Sequence, residues 1–234
     1  MAQGLPLVLV PGLLCSARLY AAQVTALWPQ GQVTIADHKR DADMTEIAKR
    51  VLAQAPPRFA LAGLSMGGYI ALAVMRLAPE RIDRLALLDT SARPDSPEQK
   101  AGREKFIAMA EAGQLDEVGE TLLPRFIHRN RMNDETLKAE VRAMVKETGP
   151  DAFVRQTKAI LSRADSRPLL KDIRCPTLVL VGADDILTPP ELAKELAAGI
   201  AGAKLTVVPD CAHLSTLEKP EAVNAALIEW LDAK

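Results

Sequence analysis

Residues 59–68 read Phe-Ala-Leu-Ala-Gly-Leu-Ser-Met-Gly-Gly, and this stretch decides the fold. The apolar run Phe59–Leu64 has the length of a strand that is buried on both faces. Met66–Ala78 is apolar nearly all round, which is typical of a buried helix that Pro79 then ends. Ser65 lies between them, within a Gly-x-Ser-x-Gly pattern. The order predicts a serine at a sharp strand-to-helix turn, with its hydroxyl exposed at one edge of a sheet; an incidental serine in a glycine-rich turn is the alternative.

Other short apolar runs along the chain resemble Phe59–Leu64 and also predict strands. Helical patterns separate most of them, and this alternation is typical of a parallel sheet with helices on both faces. We therefore expect an α/β fold whose mostly parallel sheet has about six strands. The five further predicted strands are Leu5–Val10, Gln32–Ala36, Arg84–Asp89, Thr177–Gly182 and Lys204–Val208.

Two late helices have recognisable beginnings. Thr188 and Glu191 have the spacing of a capping box, which predicts a helix with Leu192, Leu196 and Ile200 on one face. Pro220 is expected in the first turn of the last helix. The apolar stripe of that last helix consists of Val223, Leu227, Trp230 and Leu231.

The alternation stops between Arg93 and Pro168, where the sequence contains helical patterns and no strand-like run. Gly113 and Gly149 are expected to end helices there. The predicted organisation is an α/β core of residues 1–92 and 169–234, into which a helical cap of residues 93–168 is inserted.

Composition and charge exclude several classes of protein. The chain has 234 residues, 48% of them hydrophobic, and a formal net charge of −1, so it lacks the basic field that nucleic-acid binding requires. Its three cysteines are far apart and it has only three histidines, which argues against a structural metal site and favours a reducing cytoplasm. The start, Met1–Gly4, carries no positive side chain, and no apolar run is long enough to span a bilayer, so we expect neither an export signal nor a membrane partner.

A nucleophilic serine needs a base, and the base needs an acid that orients it. His213 follows the last predicted strand and is the candidate base, whereas His38 is interpreted as part of a solvated turn. Asp185 directly follows the strand Thr177–Gly182 and is the candidate acid. Asp184 and Asp89 are the alternatives, since each also lies at or just past the end of a strand.

In the order Ser65, Asp185, His213 the chain resembles the α/β-hydrolase superfamily over almost its whole length. The acid turn Gly182-x-x-Asp185-x-x-x-Pro189 and the segment from His213 to Glu221 match the family as well. Within the superfamily it is most similar to the small capped esterases and lactonases, including 3-oxoadipate enol-lactonases. The helical insertion falls where that family carries its cap.

The resemblance implies acyl transfer without a cofactor or metal, on a small-molecule ester or lactone. It implies an oxyanion hole formed by the backbone N–H groups of Leu13 and Met66. The chain departs from the family in two places. The usual N-terminal hairpin is missing, and Pro11-Gly12 replaces the usual His-Gly before Leu13.

Substrate contacts are predicted from two groups of residues. One is a set of arginines, Arg125, Arg129 and Arg131, which could attract a substrate carboxylate or simply form a solvated face. The other is a set of apolar residues that could line an acyl pocket, namely Leu13, Leu14, Phe106, Phe126 and Met132. The triad of Ser65, Asp185 and His213 could instead serve C–C bond hydrolysis, lyase chemistry of the menaquinone-pathway type or amide cleavage, or the fold could be a non-catalytic binding module.

Overall fold

The structure is a computed structural model in which residues 4–233 are described. Residues 1–3 and 234 lie outside this range, and with them most of the segment on which the export prediction depends. Six parallel strands form one sheet in the order β2-β1-β3-β4-β5-β6, which confirms the predicted fold class. The strands are β1 (Leu7–Val10), β2 (Val33–Ile35), β3 (Phe59–Leu64), β4 (Ile82–Leu88), β5 (Thr177–Gly182) and β6 (Lys204–Val208).

Three strands have ends that differ from the sequence prediction. β1 begins at Leu7 rather than Leu5, because Pro6 has no N–H to donate to a neighbouring strand. β2 is shorter than predicted at both ends. β4 begins two residues earlier, at Ile82, and ends at Leu88 because Asp89 turns out of the strand with a φ of 45°.

Helices cover both faces of the sheet and the edge at which the strands end. Short 3₁₀ turns occur at Ala17–Tyr20, Trp28–Gln30, Pro79–Arg81 and Arg129–Arg131. The α-helices of the described range are α1 (Ala21–Leu27), α2 (Met44–Gln54), α3 (Met66–Leu77), α4 (Pro97–Glu111), α5 (Leu115–Phe126), α6 (Glu135–Ser162), α7 (Arg167–Leu170), α8 (Pro190–Gly199), α9 (Ser215–Glu218) and α10 (Pro220–Asp232).

The core has one layer on each face of the sheet, because successive side chains of a strand point to opposite faces. In β1, Leu7 and Leu9 pack in the layer that contains α1 and α10, whereas Val8 and Val10 lie in the layer that contains α2, α3 and α8. Both sets are almost completely buried. The continuous apolar runs of the sequence are therefore explained by a sheet that is covered on both sides.

The helices α4, α5 and α6 are inserted between β4 and β5, and we refer to them as the insertion. Gly113, with a φ of 82°, follows α4, and Gly149, with a φ of 72°, interrupts α6. The two ends of the insertion are joined by a buried ion pair of 2.8 Å between Asp95 and Arg163. The guanidinium of Arg163 also lies over the ring of Tyr69, which is part of α3.

The predicted capping box at Thr188 is wrong. Helix α8 begins at Pro190 with Pro189 as its preceding residue, and no side chain caps it. The Thr188 hydroxyl instead donates to the carboxylate of Asp185, and this contact belongs to the site described below. The last helix does begin at Pro220, and its residues Val223, Leu227 and Trp230 are buried as predicted.

Gly67 allows α3 to begin directly against β1, and this contact yields a prediction. A Cβ at Gly67 would overlap the backbone carbonyl of Val10, so Gly67→Ala must displace the strand or the helix. We expect a loss of roughly 3 kcal/mol or more in the free energy of unfolding, measured by chemical denaturation.

Gly102 provides the matched control, since a Cβ there meets nothing within 4 Å in the middle of α4. Gly102→Ala should stabilise the protein by about 0.5–1 kcal/mol, because alanine favours a helix more than glycine does. Equal unfolding free energies for Gly67→Ala and the unmodified protein would contradict the close packing of α3 on β1.

Candidate active site

Ser65 lies at the turn between β3 and α3, at the edge where the parallel strands end. Its backbone has a φ of 56°, a value that residues other than glycine rarely adopt. Its N–H donates to the carbonyl of Leu88 at 2.9 Å, and its carbonyl accepts from the Thr90 hydroxyl at 2.8 Å. These contacts with β4 and the residues after it hold the strained turn, and Ser65 remains partly exposed.

Asp185 and His213 are joined by a hydrogen bond of 2.8 Å between Oδ2 of the carboxylate and Nδ1 of the ring. The other bonds of the carboxylate come from the turn after β5. The N–H groups of Leu187 and Thr188 donate to Oδ1 at 2.8 and 3.0 Å, and the Thr188 hydroxyl donates to Oδ2 at 2.6 Å. Since several donors fix the carboxylate, its position in turn fixes the orientation of the imidazole.

The electrostatics of this pair favour a charged carboxylate. Burial by itself raises the pKa of Asp185, but the charge of His213 and the hydrogen bonds from His213 and Thr188 outweigh it and lower that pKa. Burial by itself lowers the pKa of His213, but the charge and hydrogen bond of Asp185 reverse the effect and raise it. An imidazole held in this way can accept a proton more readily than a free one.

Of the two alternative acids, neither forms a hydrogen bond with His213. Asp184 is half exposed, and its carboxylate lies 3.4 Å from Nε2 of His128. Asp89 is completely buried, where it accepts from the N–H of Gly182 and from the hydroxyl of Ser215. Burial and the nearby charge of Asp185 raise the pKa of Asp89 well above its usual range, which favours its neutral form.

The loop that carries His213 is attached to the end of α5. Phe126 stacks on the His213 ring with an interplanar angle of 16° and centroids 6.1 Å apart, and its carbonyl accepts from the N–H of Leu214 at 3.0 Å. The buried carboxylate of Glu218 accepts from the N–H of Ala212 at 2.8 Å and from that of His128 at 2.6 Å. These contacts place one wall of the insertion beside the imidazole.

Ser65 and His213 line the same cavity, whose volume is about 680 Å³. Within the described residues, no hydrogen bond joins their side chains. The segment Gly12–Leu13 also lines this cavity, and a Cβ at Gly12 would come within 3.4 Å of the Ser65 Cβ. The cavity therefore brings the candidate nucleophile, the candidate base and the loop after β1 to one place.

The two predicted oxyanion-hole residues flank Ser65. Leu13 lines the cavity, and among the bonds between described residues none uses its N–H as a donor. Met66 is the first residue of α3, so its N–H has no acceptor within the helix. The next N–H in the loop, that of Leu14, donates to the side chain of Gln156 at 3.2 Å.

The structure separates the predicted substrate-binding residues into two groups. Leu13, Phe106, Arg125 and Phe126 line the cavity. Leu14 does not line it, because its left-handed backbone turns the side chain into the core, and Arg129 does not, because it lies on the outer surface. Two further residues of the prediction lie away from the cavity, namely Arg131, which pairs with Asp134, and Met132, which packs on the core.

Sequence reasoning missed several residues that hold this site. His38 is buried and contacts the Gly12 carbonyl at 2.9 Å, so its interpretation as part of a solvated turn is wrong. Gln156, Thr188 and Glu218 were not identified as site residues either. Sequence spacing alone identifies none of these three residues, because their roles depend on which loops the fold brings together.

Residues 4–233 contain neither a cluster of metal-ligating side chains nor a membrane-spanning helix. No group of three or more histidine, cysteine, aspartate and glutamate side chains is arranged to hold a metal ion. No helix in the same range combines the length and the apolar character needed to cross a membrane.

Several known proteins are similar to this chain over most of its length. A thermophilic esterase from Thermogutta terrifontis, solved with malate bound, superposes with a TM-score of 0.90 at 31% identity, covering 98% of this chain and 90% of the other. The enol-lactonase from Burkholderia xenovorans LB400 superposes with a TM-score of 0.89 at 27% identity, covering 98% of this chain and 92% of the other. A pimeloyl-[acyl-carrier protein] methyl ester esterase from Pectobacterium carotovorum is 28% identical over 195 residues, which are 81% of this chain and 76% of that protein.

The model of the alpha/beta hydrolase family matches residues 7–226, which include every element of the sheet. Ser65, Asp185 and His213 all lie in the matched range. The chain is therefore an enzyme of the alpha/beta hydrolase family.

Proposed function

We propose that this hydrolase cleaves a small carboxylic ester or lactone through an acyl-enzyme intermediate on Ser65. The observation that carries the proposal is the 2.8 Å hydrogen bond between Asp185 and His213, since this imidazole shares its cavity with Ser65. A buried base that is oriented by a charged carboxylate next to a strained serine is the arrangement that acyl transfer requires. The esterases and the lactonase among the relatives support the same class of reaction.

In the proposed first step, His213 Nε2 takes the proton of the Ser65 hydroxyl while Oγ attacks the carbonyl carbon of the substrate. Asp185 stabilises the imidazolium that forms, and the N–H groups of Leu13 and Met66 donate to the developing oxyanion. The tetrahedral intermediate then breaks its bond to the alcohol oxygen, which takes the proton from His213. Catalytic hydrogen bonds often tighten only when substrate is bound. The lack of a Ser65–His213 hydrogen bond among the described residues is therefore compatible with this step.

In the second step, water replaces the alcohol. His213 removes a proton from the water as its oxygen attacks the acyl carbon, and the collapse of the second intermediate returns the proton to Ser65 Oγ. The products are a carboxylic acid and the free serine. For a lactone, the alcohol and the acid are two ends of one molecule, and no other step changes.

The cavity favours a small substrate that carries a negative charge. Its volume of about 680 Å³ suits a molecule of a few hundred daltons, with Leu13, Phe106 and Phe126 beside the acyl chain. Arg125 lines the cavity, and no acidic side chain of the described residues pairs with it. We therefore propose Arg125 as the contact for a substrate carboxylate, and the malate bound by the Thermogutta terrifontis esterase supports an acidic ligand.

The nucleophile assignment predicts covalent labelling. A fluorophosphonate probe should modify the purified protein and leave Ser65→Ala unlabelled, because Ser65 is the proposed nucleophile and His213 its base. Hydrolysis of p-nitrophenyl butyrate should fall by at least about 10³-fold in the variant. Labelling and activity are read by in-gel fluorescence and by release of nitrophenolate.

Ser91→Ala is the matched control, because Ser91 lines the same cavity and has no assigned role in the reaction. This variant should label as the unmodified protein does. Equal labelling of Ser65→Ala and the unmodified protein would refute the proposed nucleophile. Turnover of a C–C bonded substrate far faster than any ester would replace ester hydrolysis with that reaction.

The assignment of the acid predicts different pH profiles for two variants. The rate should rise with pH as His213 loses its proton, because the neutral ring is the base. Asp185→Asn removes the charge that raises the pKa of His213, so this rise should move to lower pH while kcat falls about 10³–10⁴-fold.

Asp89→Asn removes a carboxyl group from the same buried region without breaking a bond to His213. Asp89→Asn should keep kcat within about tenfold of the unmodified protein's value. The pH at which its rate rises should also shift less than in Asp185→Asn. The measurement is kcat/KM for p-nitrophenyl butyrate between pH 5 and 9. A larger loss in Asp89→Asn than in Asp185→Asn would assign the acid to Asp89.

The substrate contact predicts a selective change in KM. Arg125→Gln should raise KM about tenfold or more for an ester that carries a second, free carboxylate, and leave an uncharged ester nearly unaffected. Arg129→Gln is the matched control, since Arg129 lies outside the cavity. Equal effects of the two substitutions on the acidic ester would contradict the assignment of Arg125.

A further inference from the structure

The loop Gly12–Cys15 after β1 is held by two buried polar side chains that come from distant parts of the chain. Gln156 belongs to α6 of the insertion, and His38 follows β2. Both are almost completely buried. Buried polar groups are destabilising unless they find partners, so their partners in this loop define its conformation.

Gln156 determines which N–H groups of the loop are free. Its Oε1 accepts the N–H of Leu14 at 3.2 Å in the buried interior. Leu14 has a left-handed backbone with a φ of 59°, a conformation that a residue with a branched side chain adopts only when its surroundings require it. Among the described residues the N–H of Leu13 has no acceptor, and Leu13 lines the cavity together with Ser65.

His38 lies beside Gln156 and supports the same arrangement. Its Nε2 lies 2.9 Å from the Gly12 carbonyl and 2.9 Å from Nε2 of Gln156. Burial lowers the pKa of His38 to about 4, so the ring is neutral at pH 7. With hydrogen on Nε2 the ring donates to Gly12, and with hydrogen on Nδ1 it accepts from Gln156, so either tautomer ties the ring to this network.

We propose that Gln156 is a positioning residue for the oxyanion hole. By accepting the Leu14 N–H it fixes the left-handed turn, and that turn presents the Leu13 N–H to the carbonyl oxygen of the substrate. This inference rests on the proposed reaction at Ser65. It adds that the hole is shaped by the insertion, because the Leu14 N–H of its loop donates a hydrogen bond to Gln156 of α6.

The decisive substitution is Gln156→Leu, which removes the acceptor and keeps a side chain of similar size. We expect kcat for p-nitrophenyl butyrate to fall about 10–100-fold while KM changes less than about threefold, because the hole acts on the oxyanion and not on the bound ester. A trifluoromethyl ketone that adds to Ser65 carries the same oxyanion, so its inhibition constant should rise by a similar factor. Gln156→Glu, which keeps an oxygen in place, should recover most of kcat.

Thr157→Val is the matched control for a structural effect. Thr157 is the next residue of α6 and is equally buried, but its hydroxyl donates to the Phe153 carbonyl within the helix. This variant should keep kcat and the ketone affinity, with melting temperature followed by circular dichroism in all variants. If Gln156→Leu does not fold, Gln156→Met makes the same test with a flexible side chain.

Three results would overturn the proposal. They are an unchanged kcat in a folded Gln156→Leu or Gln156→Met, an equal loss in Thr157→Val, and a rise in KM at constant kcat. The proposed reaction itself is tested separately by Ser65→Ala. Loss of labelling in Ser65→Ala together with full activity in Gln156→Leu would refute only the role of Gln156.

Discussion

The close approach of α3 to β1 is the constraint on which the site depends. Gly67 lies against the Val10 carbonyl, so the helix begins at the end of the strand instead of beside it. Ser65 is thereby forced into its left-handed turn and comes next to Gly12. The nucleophile and the loop with the Leu13 N–H are thus placed by the same packing contact, and a strained serine is retained because the strand and helix around it are deeply buried.

A second constraint is the number of charges that can be buried around the imidazole of His213. Asp89, Asp185 and His213 are buried close together, where two negative charges and one positive charge would leave an unbalanced carboxylate. Asp185 has four hydrogen-bond donors and a lowered pKa, whereas burial and its neighbour raise the pKa of Asp89. The fold distinguishes the two carboxylates by their donors, so only Asp185 pairs with His213.

Local patterns were sufficient to predict the sheet, the turn at Ser65 and the chain order of the candidate triad. Phe59–Leu64 and Thr177–Gly182 are confirmed as strands without change, because continuous apolar runs have few other solutions. Contacts between distant segments were not predictable in this way. Thr188 has the spacing of a helix cap but bonds Asp185, and His38 lies in a charged run but is buried under the insertion, since a pattern shows no long-range partner.

The insertion is part of the site and more than a cover above it. It supplies the acceptor for the Leu14 N–H through Gln156, the acceptor for the Leu214 N–H through Phe126, and the N–H of His128 to Glu218. Each buried group that loses its partner in this way destabilises the fold by about 1–3 kcal/mol. Moving the whole insertion away from the core would break all three contacts, and with them the geometry of both the oxyanion loop and the histidine loop. A substrate that enters past the exposed side chains of Ile186 and Arg125 leaves all three contacts intact.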